Sequence, residues 1–186
     1  PELMPLPVSL ANRLARALAH ARTNRQLAAL SPDCTVQVGV QYVEGRPVRI
    51  PSITIIAGSV VKHPIAPLEL RERLISQVIT PLLAGEATPL DDDSEIFINP
   101  QGAFPKSGPA SHSGMTGRKT AADTYGAYAR HSGSALSGKD PSRIDRVGTY
   151  MARHVAKNVV AAGLAEECEV QLSYSIGRSG PTSIQV

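Results

Sequence analysis

Leu10, Leu14 and Leu18 recur every four residues, with Asn12, Arg13 and Arg16 elsewhere on the wheel. Apolar residues at that spacing fall on one face of an α-helix. Ser9, after Pro5 and Pro7, is a plausible N-cap, so the pattern predicts a helix from there to about Arg22. The period then drops to two. Val36, Val38 and Val40 alternate with Gln37, Gly39 and Gln41, as in a strand with one wet face. Glu44-Gly45 predicts a hairpin turn, and Val48 to Ala57 a returning strand. Helical spacing resumes after Pro67 with Leu70, Leu74, Ile75 and Val78, and Pro81 is expected to limit that helix. Thr88 to Ser94 reads as a polar turn and Glu95 to Asn99 as a short strand.

The last helix carries the clearest stripe: Ile144, Val147, Met151, Val155 and Val159, expected to be buried. Ser142 is its expected cap, with Asp145 three residues on completing a capping box and Gly163 as the C′ residue. Val170, Leu172, Tyr174 and Ile176 predict a final strand, Gly177 to Pro181 a turn, and Ser183 to Val186 a strand cut short. Hairpins mixed with helices imply an α+β architecture rather than a doubly wound parallel sheet. The order suggests two related modules.

Composition narrows the function classes. At 186 residues and 42% hydrophobic, the chain can bury a real core, built on Leu, Ile, Val and Ala because it has no Trp and two Phe. The net charge of +3 is spread along the chain, with no basic tract interleaved with aromatics, so no nucleic-acid partner is expected. No apolar run reaches the ~18 residues of a membrane span. A cytoplasmic protein with no membrane partner is the expectation, with Cys34 and Cys168 as unpaired thiols. Pro1 is not a translation start, so a longer or processed chain is expected.

The chemistry concentrates between Phe104 and Asp145. Two small-residue loops end in cations: Ser113-Gly114-Met115-Thr116-Gly117-Arg118-Lys119, and His131 to Asp140 with Ser137-Gly138-Lys139-Asp140 at its end. Glycines let backbone N–H groups approach an oxyanion, and a following Lys or Arg neutralises phosphate. The second loop also runs into a helix N-terminus, which favours anions. Two such loops suggest a polyphosphate site. Asp145 and Asp140 are oxygen ligands suitably placed for Mg²⁺, although spacing alone favours Asp145 as a helix-capping carboxylate. Asp123 either orients a cation or caps a turn, and His112 is either exposed or part of the first loop's site.

Taken together, these blocks resemble the methionine adenosyltransferases, or S-adenosylmethionine synthetases. The resemblance rests on Pro1-Glu2-Leu3-Met4-Pro5, Phe97-Ile98-Asn99-Pro100, Gly114 to Lys119, Asp123-Thr124-Tyr125-Gly126, Ser137 to Pro141, Val155 to Leu164 and Cys168 to Gln171, in order along the whole chain. It implies repeated sheet-plus-helix modules, pseudo-threefold in the family and incomplete here. A central-type module is expected over residues 1–100 and a C-terminal-type module over 101–186, without the family's N-terminal module. The implied reaction is attack of the methionine sulfur on C5′ of ATP. Tripolyphosphate leaves and is cleaved to phosphate and diphosphate, assisted by Mg²⁺ and K⁺. A homodimer, or pairing with a homologous subunit, is implied as well.

Residue by residue, the resemblance carries ATP contacts onto Asp33, Phe104, Arg118, Lys119, Ala135 and Lys139, with Arg118, Lys119 and Lys139 as the catalytic cations and Asp145 as a Mg²⁺ carboxylate. It implies no K⁺ ligand in this chain. The chain also departs from the pattern. Thr35 stands where a Lys is expected, Ala103 for an Arg, His112 for an Asp and Arg143 for a Lys. Two functions follow as expectations: a synthetase-type enzyme acting on ATP and methionine or an altered second substrate, or a catalytically impaired paralogue that regulates or scaffolds another subunit.

Overall fold

The computed structural model describes residues 2–59, 65–103, 107–108, 121, 124–132 and 135–186. The chain divides into two compact units, one spanning Met4–Gly114 and one comprising Pro1–Leu3 with Met115–Val186.

The first unit opens with α1, Leu6–Thr23. It starts three residues before the expected cap. Pro7 occupies the first turn, where its missing N–H has no intrahelical partner to lose, and Ser9 is buried inside the helix. Leu10, Leu14 and Leu18 face inward as the spacing predicts, and Ala21 joins them. Strands β1 (Leu30–Val43) and β2 (Arg46–Ser59) form an antiparallel hairpin. Its two-residue turn has φ of 50° at Glu44 and 77° at Gly45, the doubly left-handed geometry that suits twisted hairpins. A short strand β3, Glu95–Ile98, joins β2 in parallel, giving the order β1-β2-β3.

Irregularities in the hairpin are specific. The pairing steps from Gly39↔Ser52 to Gln41↔Arg49, so β2 carries an extra residue around Ile50-Pro51. Proline cannot donate to a ladder and is tolerated at such a bulge. The bulge turns Ile50 inward, and other segments satisfy its backbone. Its N–H donates to Pro89 O at 3.0 Å, and Ser94 Oγ donates to its carbonyl at 2.7 Å.

Helix α2, Pro67–Leu74, continues through a π-helical turn (Ile75–Ile79) into α3, Thr80–Leu83. Pro81 therefore does not end the helical run. The widened turn, with Thr80 N–H bonded to Ile75 O, accommodates a proline that would otherwise collide with the carbonyl four residues back. The core joins α1, Leu27, Leu30, the inward face of β2 (Ile50, Ile53, Ile55, Ala57) and Leu70, Leu74, Val78 and Ile79.

The second unit is built on α4, Ile144–Ala161, and an antiparallel pair, β4 (Gln171–Ser173) and β5 (Ser183–Gln185). Strand β4 is shorter than the alternation of Val170 to Ile176 predicts, and Ile176 is fully exposed. The α4 stripe also departs from expectation. Ile144, Val147 and Met151 are exposed at 41%, 37% and 47%, and only Gly148 of the helix is buried, beneath the Tyr174 ring. The helix does end as predicted. Gly163 has φ 69°, its N–H donates to Val160 O, and Leu164 N–H donates to Val159 O, the paired bonds of a Schellman motif.

Candidate functional site

The second loop enters α4 through a tight turn. Lys139 N–H donates to Leu136 O at 3.2 Å, and Gly138, the third residue of that turn, has φ 71°. That is the conformation a type II turn asks of glycine. Lys139 Nζ forms an ion pair with the Asp145 carboxylate in the first turn of α4. Two residues singled out from sequence thus meet. Their side chains are 26% and 37% exposed, and a pair this open to water contributes about 0–1 kcal/mol. An incoming phosphate can therefore recruit Lys139 at little cost.

Ser142 does not cap the helix as expected. Its N–H and Oγ–H both donate to Asp140 Oδ1, at 2.9 and 2.7 Å. These bonds, the backbone one foremost, hold the Asp140 carboxyl below its ordinary range. Arg143 is the N-cap, with no side-chain cap bond, and is exposed. Asp145 is therefore a first-turn carboxylate facing Lys139 rather than half of a capping box.

Sequence reasoning missed Arg146. Its Nε donates to Lys139 O at 2.7 Å and its Nη2 donates to Leu136 O. Nη1 donates to Tyr150 Oη at 2.7 Å, and the guanidinium lies 5.7 Å from the Tyr150 ring centroid. One side chain thus grips both ends of the turn. Its partners are main-chain carbonyls, which leave no motif, and a basic residue inside a helix draws no notice. Ala135, just before the turn, is half-buried.

In the first unit, Asp33 lies where the β1–β2 pairing jumps from Leu30↔Ser59 to Cys34↔Ala57, in a bulge on β1. Bulges re-aim side chains. Here the Asp33 carboxylate accepts the Gly108 N–H at 2.8 Å, and Ser31 Oγ lies 2.7 Å from Ser107 Oγ. Gly58 opposite leaves the space, since a Cβ there would collide with both serines. Asn99 directs the chain into this region. At φ 43° its side chain accepts from Ala57 N–H at 2.9 Å and donates to Ala57 O at 3.0 Å, prolonging β3 by side-chain bonds. Thr35 is exposed on β1, and Ala103 lines a shallow groove with Ser59, Pro67, Leu70 and Asn99. Phe104, His112, Arg118, Lys119 and Asp123 lie outside the described residues.

Models of the S-adenosylmethionine synthetase central domain and C-terminal domain match residues 1–104 and 106–186. The chain belongs to the S-adenosylmethionine synthetase family. The S-adenosylmethionine synthase of Desulfosudis oleivorans is 49% identical over 186 residues, covering 100% of this chain and 47% of that protein. The S-adenosylmethionine synthase of Nostoc punctiforme is 47% identical over 192 residues, covering 45% of that protein. The chain spans about half the length of the curated relatives it matches. Its fold is that of the synthetases: a solved structure of an unusual S-adenosylmethionine synthetase from Campylobacter jejuni superposes with TM-score 0.84 at 34% identity, over 98% of this chain and 48% of that one. The mixed helices and sheets of this synthetase-family chain agree with the α+β class expected from its periodicity.

Metal capacity is modest among the described residues, which include no cluster of three His, Cys, Asp or Glu able to hold an ion. The Asp145 carboxylate nevertheless suits Mg²⁺, which typically binds one or two carboxylates together with phosphate oxygens and waters. No helix among the described residues is long and apolar enough to cross a membrane.

Proposed function

We propose that this chain supplies the polyphosphate-binding side of a methionine adenosyltransferase reaction. The methionine sulfur attacks C5′ of ATP, an S–C5′ bond forms to give the sulfonium as the C5′–O bond breaks, and tripolyphosphate leaves with the electron pair before water hydrolyses it to phosphate and diphosphate. The observation that carries the reading is the fixed turn that sets Lys139 beside Asp145 at the start of α4. A cation held where charge develops on the leaving group stabilises the transition state. Lys139, with Arg118 and Lys119, takes that role. Asp33, Phe104 and Ala135 complete the ATP contacts. Asp145 would offer a carboxylate to Mg²⁺, which when bound would supply neutralising charge for the phosphates, and K⁺ would be held by residues outside this chain. The modules divide near residue 100, a reading supported by family matches meeting between 104 and 106. The protein acts in the cytoplasm as a homodimer or with a homologous subunit.

The test is incubation of the whole protein with ATP, Mg²⁺, K⁺ and methionine, following phosphate and the adenosyl product. Turnover is expected, and its absence across a broad amino-acid panel would sink the reading. With His112 in place of the Asp that pairs with the substrate ammonium, His112→Asp is expected to lower the KM for methionine. An impaired, regulatory paralogue is the second reading. What supports it is that Thr35 and Ala103 place no cation where two phosphate-directed ones are expected. Stable co-purification with a complete synthetase, without turnover, would favour it.

A further inference from the structure

Among the described residues, the Arg146 side chain donates hydrogen bonds to Leu136 O, Lys139 O and Tyr150 Oη, none of them a carboxylate oxygen, although its charge also acts on Asp140. A guanidinium offers donors in a planar fork, so it can hold two carbonyls at once in a way an ammonium cannot. The two carbonyls are the first and last of the Leu136–Lys139 turn, and the last belongs to the residue proposed to meet phosphate. Gly138 at φ 71° lets the turn adopt this shape but does not enforce it, because glycine is the most permissive residue. Arg146 enforces it. Anchored in the first turn of α4 and buttressed by Tyr150, it ties the loop backbone to the helix and draws the carbonyls to itself. That leaves the Lys139 side chain free to swing between Asp145 and an anion while its backbone stays fixed.

We propose that Arg146 is a positioning residue for polyphosphate, acting through Lys139 by locking the turn that presents it. The proposal rests on the polyphosphate reading of Lys139, and the test separates the two. Inorganic tripolyphosphate is titrated calorimetrically, with Mg²⁺ present, into the whole protein and its Lys139→Met, Arg146→Lys and double variants. Lys139→Met and Arg146→Lys are each expected to weaken binding by about tenfold, the scale of one charge-assisted contact. The double variant is expected to bind no worse than Lys139→Met, since a residue acting only through Lys139 has nothing left to position. Multiplying losses would overturn the proposal, because they would mean that Arg146 acts on its own or through general folding. Unchanged binding in Lys139→Met would overturn the polyphosphate reading and this proposal with it. Unchanged binding in Arg146→Lys beside a weakened Lys139→Met would overturn the positioning role alone. Should Arg146→Lys not fold, Tyr150→Phe removes only the hydroxyl that steadies Nη1 at an exposed site. It is expected to weaken binding about two- to fivefold and to lose that effect in the Lys139→Met background; an effect that is absent or persists there would overturn the proposal.

Discussion

Asp33 and Cys34 are adjacent on β1, and the carboxylate acts on the thiol. Burial pushes the Cys34 thiol up from its ordinary value, and the Asp33 charge pushes it further. The thiolate is the reactive form, so at neutral pH Cys34 is expected to alkylate more slowly than cysteine in a short peptide. Its rate should still be climbing with pH where the peptide has reached its plateau. Asp33→Asn removes the smaller cause and should move that profile partway back; mass-spectrometric alkylation rates between pH 7 and pH 10 check this. With the folded pKa raised, the thiol's contribution is full below its unfolded value and is lost as pH rises through the folded value. Gly58 tests the neighbouring crossing. Gly58→Ala drives a methyl into Ser31 and Ser107, and overpacking of this kind costs about 1–3 kcal/mol, readable as a lower urea midpoint at unchanged slope. At this scale legibility depended on where a residue's partners lie. Lys139 and Asp145 stood out because their charge and position relative to a helix start suggest phosphate and metal. Arg146 did not, because its work is done on carbonyls that every residue possesses.

Among the elements, the turns were the most legible. Glu44-Gly45 and Gly163 sit where the alternation or the helical stripe breaks, and both adopt the left-handed backbone that glycine supplies. Gly163→Ala is expected to cost about 1 kcal/mol, since nothing crowds the position and only the φ of 69° opposes a side chain. Glu44→Asn should act in the opposite direction by a few tenths of a kcal/mol, roughly, because Asn tolerates the first turn position better than Glu. Chemical denaturation of each variant reads both, and equal stabilities would contradict the turn assignments. Proline was less legible. In the pattern Pro7 and Pro81 mark boundaries, yet one lies in the first turn of α1 and the other follows a π-helical turn that absorbs it. The bulges at Asp33 and at Ile50-Pro51 were invisible for a related reason: alternation shows which face a residue takes only while the register holds.

At the scale of the molecule, apolar burial is uneven. Every buried hydrophobic residue among those described lies between Leu10 and Ile79. The unit containing α4 keeps Ile144, Val147, Tyr150 and Met151 in water, although the α4 stripe is the strongest periodic signal in the chain. The periodicity correctly announced an amphipathic helix, but it cannot say what the apolar face meets, because that depends on chain far from the helix itself. Local stability tracks buried apolar contact, so the two units should open separately in the chain of residues 1–186. Amides of β2 from Ile53 to Ala57 are expected to be the slowest to exchange with deuterium. Those of α4 and of the β4–β5 pair should exchange faster by orders of magnitude, since their opening exposes little new apolar surface. Leu14→Ala sharpens the test. Leu14 is fully buried against the hairpin, and its truncation should cost about 2–5 kcal/mol. That loss should accelerate exchange throughout α1, β1 and β2 while leaving α4 at its original rate. Equal acceleration in α4 would show that the helix draws its stability from the same core and that the two units unfold as one.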